Sequence, residues 1–121
     1  MTPLASFMFV TIDANDAERV AGFWAELLGT EIDEIWEEGH YVFLKSREGL
    51  PLLCVQRVPE PKSVKNRIHL DLWVDDLDAA TGRISEMGGS WDGTEHTLRT
   101  FRWRTLREPE GNEFDIALED G

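Results

Sequence analysis

The fold is decided by two stretches of equal length, FVTIDANDAERVAGFWAELLG at residues 9–29 and HLDLWVDDLDAATGRISEMGG at residues 69–89. Each stretch begins with a run of β-branched, aromatic and aliphatic residues that is typical of a strand. Each continues through an acidic helix start and an amphipathic segment and ends in glycine. This self-similarity indicates that the chain contains one structural unit twice.

Both stretches predict a strand followed by a helix. The strands are expected at Phe7–Ile12 and Ile68–Val74. In the first helix, apolar residues recur at i, i+3, i+4, i+7 and i+8, which is the spacing of one helical face. Gly29 is placed to end the first helix, and Gly88-Gly89 to end the second. The candidate N-cap residues are Asp13, Asn15 and Asp16 in the first copy and Asp75, Asp76 and Asp78 in the second.

After each helix the pattern changes to short strands separated by glycine-containing turn signals such as Asp92-Gly93. The predicted strands are Glu31–Glu37, Tyr41–Lys45 and Leu52–Arg57 in the first half, and Ser90–Asp92, Phe101–Leu106 and Phe114–Leu118 in the second. The sequence therefore predicts an α+β fold of two βαβββ modules, at about residues 5–58 and 66–120. We expect them to form a curved mixed sheet around a cavity, with the helices outside.

Length and composition predict a single domain over residues 1–121. The chain is 41% hydrophobic and 30% charged, and each half is too short to build a stable core alone. No apolar run approaches the roughly 18 residues of a transmembrane helix. The amino-terminal residues lack the basic segment of a signal peptide and run directly into a predicted strand. We therefore expect a cytoplasmic protein that has no membrane partner.

Charge and cysteine content narrow the classes of partner. The net charge is −12, from 24 acidic and 12 basic residues. Nucleic acids are bound through basic surfaces, so we expect no nucleic-acid partner. An acidic surface favours solubility and can attract a cationic ligand. The single cysteine, Cys54, lies in an apolar run and is expected to be a buried small hydrophobe rather than a nucleophile.

Three segments carry a resemblance to a known superfamily. Residues 69–78 resemble the fifth strand and the following helix start of the vicinal oxygen chelate superfamily, which includes glyoxalases, bleomycin-resistance proteins and extradiol dioxygenases. Residues 103–114 resemble its near-terminal turn, with Glu108 where Asp is usual, and residues 16–29 resemble its first helix. The resemblance covers essentially the whole chain and is more narrowly to the glyoxalase-like domain group. It implies a small-molecule ligand and a homodimer.

Enzymes of this superfamily hold one divalent metal through a His or Glu on each of strands one, four, five and eight. The matching residues on strands five and eight are His69 and Asp115, whereas the strand-one position is Phe9, which cannot bind a metal. The strand-four position is Leu53, or Cys54 if the register slips by one. Because two protein ligands hold a metal weakly, we expect no cofactor. The alternative is a divalent Zn, Ni, Fe or Mn ion at His69 and Asp115.

Alternation along the strands predicts which side chains face the cavity, since the apolar set of each strand should meet the helix. The predicted cavity residues are Phe9, Thr11, His69, Asp71, Trp73, Trp103, Thr105 and Asp115. Three interpretations of His69 stay open. It is hydrogen-bonded to Asp71 or Asp115 without a metal, it is a metal ligand, or it is a general base oriented by a carboxylate.

Two functions of different classes remain. The first is a small-molecule-binding protein of the glyoxalase/bleomycin-resistance type that sequesters a cationic or aromatic ligand, its reaction unassigned. The second is a metal-dependent lyase, isomerase or dioxygenase that acts on a small oxygenated substrate, with His69 and Asp115 as catalytic groups. We favour binding, because it does not need the missing metal ligands. A regulatory domain without a ligand is a third alternative.

Overall fold

The computed structural model describes residues 2–120, which form two compact units divided between Pro61 and Lys62. We call residues 1–61 the first module and residues 62–121 the second module. The predicted domain range includes Met1 and Gly121, which lie outside the described residues. Each module has the element order βαβββ, so the predicted α+β fold of two βαβββ modules is confirmed.

The first module contains one α-helix and a four-stranded mixed sheet. Its elements are β1 (Val10–Ala14), α1 (Ala17–Leu28), β2 (Ile32–Trp36), β3 (Tyr41–Leu44) and β4 (Leu53–Arg57). The strand order is β1-β4-β3-β2, in which β1 runs parallel to β4 and the other neighbours are antiparallel. The parallel pair requires a crossover, and α1 with β2 and β3 supplies it.

The second module repeats this arrangement. Its elements are β5 (Asp71–Trp73), α2 (Leu77–Glu86), β6 (Ser90–Leu98), β7 (Phe101–Arg107) and β8 (Glu113–Glu119). The strand order is β5-β8-β7-β6, and β5 runs parallel to β8. The first strand of each module therefore pairs with the last one, which confirms the duplication that the two sequence copies predict.

Both helices begin and end close to the predicted positions. The Asp16 carboxylate accepts a hydrogen bond from the backbone N–H of Arg19, and Asp76 accepts one from Ala79. Each N-cap is thus a member of the predicted set, and it pairs a backbone donor that has no partner within the helix. Gly29 ends α1 with φ of 68°, a left-handed conformation that glycine adopts without a Cβ clash.

The helices pack against their own sheets, and the core of each module lies at that contact. Trp24, predicted to be core by its helix position, is buried. The buried apolar residues include Val20, Phe23, Trp24, Val42, Leu53 and Val55 in the first module, and Leu77, Ile84, Leu106, Phe114 and Ile116 in the second. None of the helices in residues 2–120 has the length and apolar content to cross a bilayer.

The turn predicted at Asp92-Gly93 is wrong. Strand β6 does not end at Asp92 but continues to Leu98. Its pairing with β7 shifts register between Trp91 and Glu95, and Gly93 has φ of 95°. The Asp-Gly pair therefore forms a β-bulge, in which the strand accommodates an irregularity and then resumes pairing.

Strands β1 and β5 start about three residues later than their predicted ranges, at Val10 and Asp71. Val10 lies opposite Leu53, the first residue of β4, so parallel pairing starts there. In the second module, pairing starts with Asp71 opposite Asp115. His69 consequently lies two residues before β5 rather than within a strand.

A buried arginine connects α2 to the sheet. Arg104, on β7, is 7% exposed and donates hydrogen bonds to Asp78 (2.7 Å), Thr81 Oγ1 (2.9 Å) and Glu95 (3.0 Å). Its guanidinium also lies 4.1 Å from the ring centre of Trp91. Burial of an arginine is tolerated here because its donors meet carboxylate and hydroxyl oxygens.

A second buried charge fixes the segment that precedes β5. Glu113, at the start of β8, lies 2.7 Å from Nζ of Lys62 and accepts a hydrogen bond of 2.8 Å from the backbone N–H of Asn66. The side-chain amide of Asn66 donates to the Glu113 carbonyl. This pairing holds residues 62–66 against the sheet, just upstream of His69.

Candidate functional site

The second sheet carries a pocket of about 480 Å³ on the face opposite the buried apolar side chains of β7 and β8. Alternation places Trp103 and Asp115 on this face, while Leu106 and Ile116 point towards α2. The wall is mostly aromatic and aliphatic, with three polar side chains gathered together. The lining residues are His69, Asp71, Leu72, Trp73, Leu98, Phe101, Trp103, Asp115 and Ala117.

The apolar wall of the pocket presents flat aromatic surface. The rings of Trp73 and Phe101 lie 6.0 Å apart at 32°, and Trp103 stacks on His96 at 5.3 Å and 25°. Trp73 is 71% exposed, which is unusual for so large an apolar side chain. Exposed aromatic faces beside a concave wall are suited to stacking against a planar molecule.

His69, Asp71 and Asp115 form what we call the acid–imidazole cluster. One potential ligand atom from each residue lies within 4.8 Å of the others. Nδ1 of His69 is 3.4 Å from Oδ1 of Asp71 and 3.5 Å from Oδ2 of Asp115. The two aspartates meet because the parallel pairing of β5 with β8 places them directly opposite each other.

The two carboxylates of the cluster have different surroundings. Asp115 is buried, and its Oδ1 accepts a hydrogen bond of 2.7 Å from Thr105 Oγ1. Asp71 is largely exposed. Burial, and then the adjacent Asp115 carboxylate, raise the pKa of Asp71 above its usual value, although His69 acts in the opposite direction. Two acidic groups that approach so closely favour a proton or another cation between them.

The structure brings together most, but not all, of the predicted cavity residues. His69, Asp71, Trp73, Trp103 and Asp115 line the one pocket. Thr105 does not line this pocket. Its hydroxyl donates a hydrogen bond to Asp115, and the residue lines a neighbouring pocket together with Lys62 and Arg107. Phe9 and Thr11 line a pocket of about 370 Å³ on the first module.

The first-module pocket resolves which residue occupies the strand-four position. Cys54 lies opposite Thr11 in the parallel pair, as Asp115 lies opposite Asp71 in the second module. Cys54 lines the pocket, so the register that places it there is correct and Leu53 belongs to the core. Cys54 is 1% exposed, which confirms its expected burial, and that burial raises the pKa of its thiol.

The four-strand metal set of the superfamily does not fit this chain. Phe9 offers no donor atom, and Cys54 is a thiol where the superfamily has His or Glu. The carboxylate and imidazole donors at the matching positions are Asp115 and His69 alone. The structure adds Asp71 beside them, a residue that the resemblance does not assign to a metal.

Four lining residues are missing from the sequence-based prediction: Leu72, Leu98, Phe101 and Ala117. Phe101 shares the face of Trp103 by alternation along β7, so its position was predictable. Leu98 lies in the part of β6 beyond Gly93, where the pattern predicts a turn. Because the bulge at Asp92-Gly93 has the composition of a turn, the sequence pattern does not place Leu98 in a strand.

Comparisons with solved structures show the fold. TnmS3, an antibiotic binding protein from Streptomyces sp. CB03234, has a TM-score of 0.70 and 21% identity over 99% of this chain and 100% of that chain. A glyoxalase/bleomycin resistance protein/dioxygenase family enzyme from Burkholderia phytofirmans PsJN has a TM-score of 0.72 and 18% identity, covering 90% and 94%. Lactoylglutathione lyase from Agrobacterium tumefaciens has 0.64 and 18%, covering 95% and 94%.

No curated protein sequence matches the chain. At the level of families, residues 9–117 match the profile described as Glyoxalase-like domain, which extends from the residue before β1 into β8. The profile match and the duplicated βαβββ order both support the resemblance that residues 16–29, 69–78 and 103–114 carry. The chain therefore belongs to the glyoxalase-like domain family, within the vicinal oxygen chelate superfamily.

Proposed function

We propose that this chain is a binding protein for a small molecule with a planar aromatic part, which it holds on the second sheet. The observation that carries the proposal is the pocket of about 480 Å³ walled by Trp73, Phe101 and Trp103. This volume is within the range of small-molecule sites. TnmS3 is named an antibiotic binding protein, which supports binding as one use of the fold.

Charge favours a cationic guest over an anionic one. Asp71 and Asp115 lie in the wall of the pocket beside the aromatic rings. A cation can contact both a carboxylate and the negative face of an indole ring. The net charge of −12 also raises the local concentration of cations at the surface.

Two dyes of opposite charge test the proposal. Proflavine is a planar cation, and anthraquinone-2-sulfonate is a planar anion of similar size. Proflavine should quench tryptophan fluorescence saturably and raise the thermal midpoint of the full chain. The anion should bind at least about tenfold more weakly, because a single repulsive contact with a carboxylate exceeds about 1.4 kcal/mol at the dielectric of a protein surface.

Matched phenylalanine variants locate the binding. Phe101→Leu should weaken proflavine binding by about two- to tenfold, the range of one aromatic stacking contact. Phe7→Leu removes a ring that is exposed but outside the pocket, and should leave the affinity unchanged. Quenching that never saturates, or an equal loss in the two variants, would refute the proposal.

Catalysis at His69 is a second candidate, favoured by the contact of its imidazole with two carboxylates. A carboxylate that holds the proton on Nδ1 leaves Nε2 as an acceptor, the arrangement of a general base. The proposal predicts turnover of an oxygenated substrate, and lactoylglutathione is a suitable first one because a lactoylglutathione lyase shares the fold. Turnover that persists in His69→Gln would exclude this role.

We also propose that the two modules together form one domain over residues 1–121, which acts as a cytoplasmic homodimer. Each module has only about 60 residues, which is marginal for independent stability. One cooperative unfolding transition for the whole chain, with residues 1–61 unfolded when expressed alone, is the expected result. Sedimentation equilibrium of the whole chain tests the dimer, and a monomer at micromolar concentration would exclude it.

A further inference from the structure

We propose that Arg107 binds the carboxylate of a small organic acid in a second pocket of the second module. This pocket has a volume of about 590 Å³, and we call it the Arg107 pocket. It adjoins the aromatic pocket, because its wall includes His96, which stacks on Trp103, and Thr105, which donates a hydrogen bond to Asp115. The site is independent of the proposed aromatic ligand, since none of its charged residues lines the aromatic pocket.

Strand pairing on both sides fixes the position of Arg107. It is the last residue of β7 and lies opposite Ser90 on β6 and Glu113 on β8. Alternation directs its side chain to the face that carries Trp103 and Thr105, away from α2. The guanidinium is therefore presented to the pocket by a backbone that is paired on both edges.

The side chain of Arg107 is half-buried and has no acceptor for its N–H groups. Among residues 2–120 it makes no hydrogen bond or ion pair, whereas Arg102 and Arg104 on the same strand both pair with carboxylates. A guanidinium carries five donors in a planar fork, and polar groups that are partly removed from water need partners. A carboxylate offers two acceptor oxygens that match this fork.

Two acidic side chains near Arg107 are engaged with other partners. Asp92 accepts a hydrogen bond of 2.9 Å from the backbone N–H of Thr94, and Glu113 pairs with Lys62 at 2.7 Å. The hydrogen bonds from Thr94 lower the pKa of Asp92, and the charge of Arg107 makes a smaller contribution in the same direction. Arg107 thus acts on this carboxylate at a distance, and its donors stay available to a ligand.

The charge of the wall favours a monocarboxylate over a phosphate. The whole chain has 24 acidic and 12 basic residues, whereas basic and acidic side chains are equal in number in this wall. These residues are Lys62, Lys65 and Arg107, and Asp92, Glu110 and Glu113. A phosphate monoester carries close to two negative charges, so the acidic residues repel it more strongly than a carboxylate with one.

Titration with propanoate and propanamide tests the site, because the two molecules have nearly the same shape and only propanoate is charged. Backbone amide chemical shifts of the full chain, at pH 7 and constant ionic strength, report binding. Propanoate should shift the signals of residues around the Arg107 pocket saturably. Propanamide should bind at least about tenfold more weakly, since hydrogen bonds to charged groups are the stronger ones. Methyl phosphate should also bind more weakly than propanoate.

Arg107→Gln should weaken propanoate binding by about ten- to hundredfold, because it removes both the charge and the fork. Arg99→Gln is the matched control, since it removes the same charge from the exposed turn between β6 and β7, and it should bind within about twofold of the wild type. Circular dichroism and the thermal midpoint establish whether both variants fold. The comparison of propanoate with propanamide needs only the wild type, so it decides the question even where a variant is unstable.

Four results would each overturn the proposal. They are propanoate binding no tighter than that of propanamide, equal losses in the two arginine variants, shifts confined to the aromatic pocket, and tighter binding of methyl phosphate than of propanoate. Proflavine binding that fails while propanoate binding persists would refute only the aromatic-ligand proposal.

Discussion

The pairing of Glu113 with Lys62 predicts a pH-dependent stability that a single substitution can isolate. Glu113→Gln keeps the shape of the side chain and an acceptor for the N–H of Asn66, but removes the charge next to Lys62. A hydrogen bond to a charged group contributes about 1.5–3 kcal/mol. Lys62 is 19% exposed and can be partly rehydrated, so we expect a loss near the lower end, about 2 kcal/mol at pH 7. For a chain of this size that corresponds to about 8 °C in the thermal midpoint.

The pH dependence follows from the pKa of Glu113. Burial alone would raise this pKa, but the hydrogen bonds from Lys62 and from the backbone of Asn66 outweigh it, so the pKa is lowered. A lowered carboxyl pKa stabilises the folded state above the pKa of the unfolded chain, about 4.3 for Glu. That contribution is lost as the pH falls through the folded-state value. The difference between wild type and variant should therefore be full at pH 7 and should narrow progressively below about pH 5.

Urea unfolding of both proteins at several pH values between 7 and 3 measures this difference directly. Asp75→Asn is the control for net charge and should leave the free energy of unfolding nearly unchanged. Lys62→Met, alone and combined with Glu113→Gln, completes a double-mutant cycle that isolates the pair. A difference that stays constant down to pH 3 would refute the reasoning, because it would assign the effect to packing rather than to the charge of Glu113.

Three further predictions concern stability and reactivity. Arg104→Met should destabilise the fold by about 1–3 kcal/mol, since it removes the hydrogen bonds of a buried guanidinium to Asp78, Thr81 and Glu95, whereas Arg102→Met, at an exposed ion pair, should cost under about 1 kcal/mol in the same urea experiment. The Cys54 thiol, buried and with a raised pKa, should react with a disulfide reagent at pH 8 at least about 100-fold more slowly in the native chain than in urea; comparable rates would contradict its burial. Asp76→Ala should cost about 1 kcal/mol through loss of the α2 N-cap, and Asp75→Ala should cost much less, as thermal unfolding would show.

The helices and the duplicated topology were predictable because their determinants are local. Each helix is defined by local sequence features. These are an aspartate that accepts a hydrogen bond from the backbone N–H three residues later, an apolar stripe, and a glycine at the end. The bulge in β6 was not predictable, since Asp92-Gly93 has the composition of a turn and only pairing with β7 decides between the two. Strand starts at Val10 and Asp71 likewise depend on where the partner strand begins.

In the candidate site, too, one part was predictable from local pattern and another part depends on strand pairing. Alternation along single strands places Trp73, Trp103 and Asp115 on one face, and the structure agrees. Contact among the members of the acid–imidazole cluster depends on the register between β5 and β8, which are separated by some 40 residues of sequence. Pattern alone therefore identifies the face and leaves open whether His69 meets Asp71 or Asp115, whereas in the structure it lies near both.

The two parallel strand pairs, β1 with β4 and β5 with β8, have the same register. Each pair of facing residues in one module therefore has an equivalent pair in the other. Thr11 opposite Cys54 occupies the same slot in its own sheet as Asp71 opposite Asp115. Installing aspartate at both first-module positions would copy the pair of acids in register, and the acid at Cys54, which is 1% exposed, would carry a desolvation cost. A designer could thus start from one backbone and compare a chain with a single such pair to a chain with two.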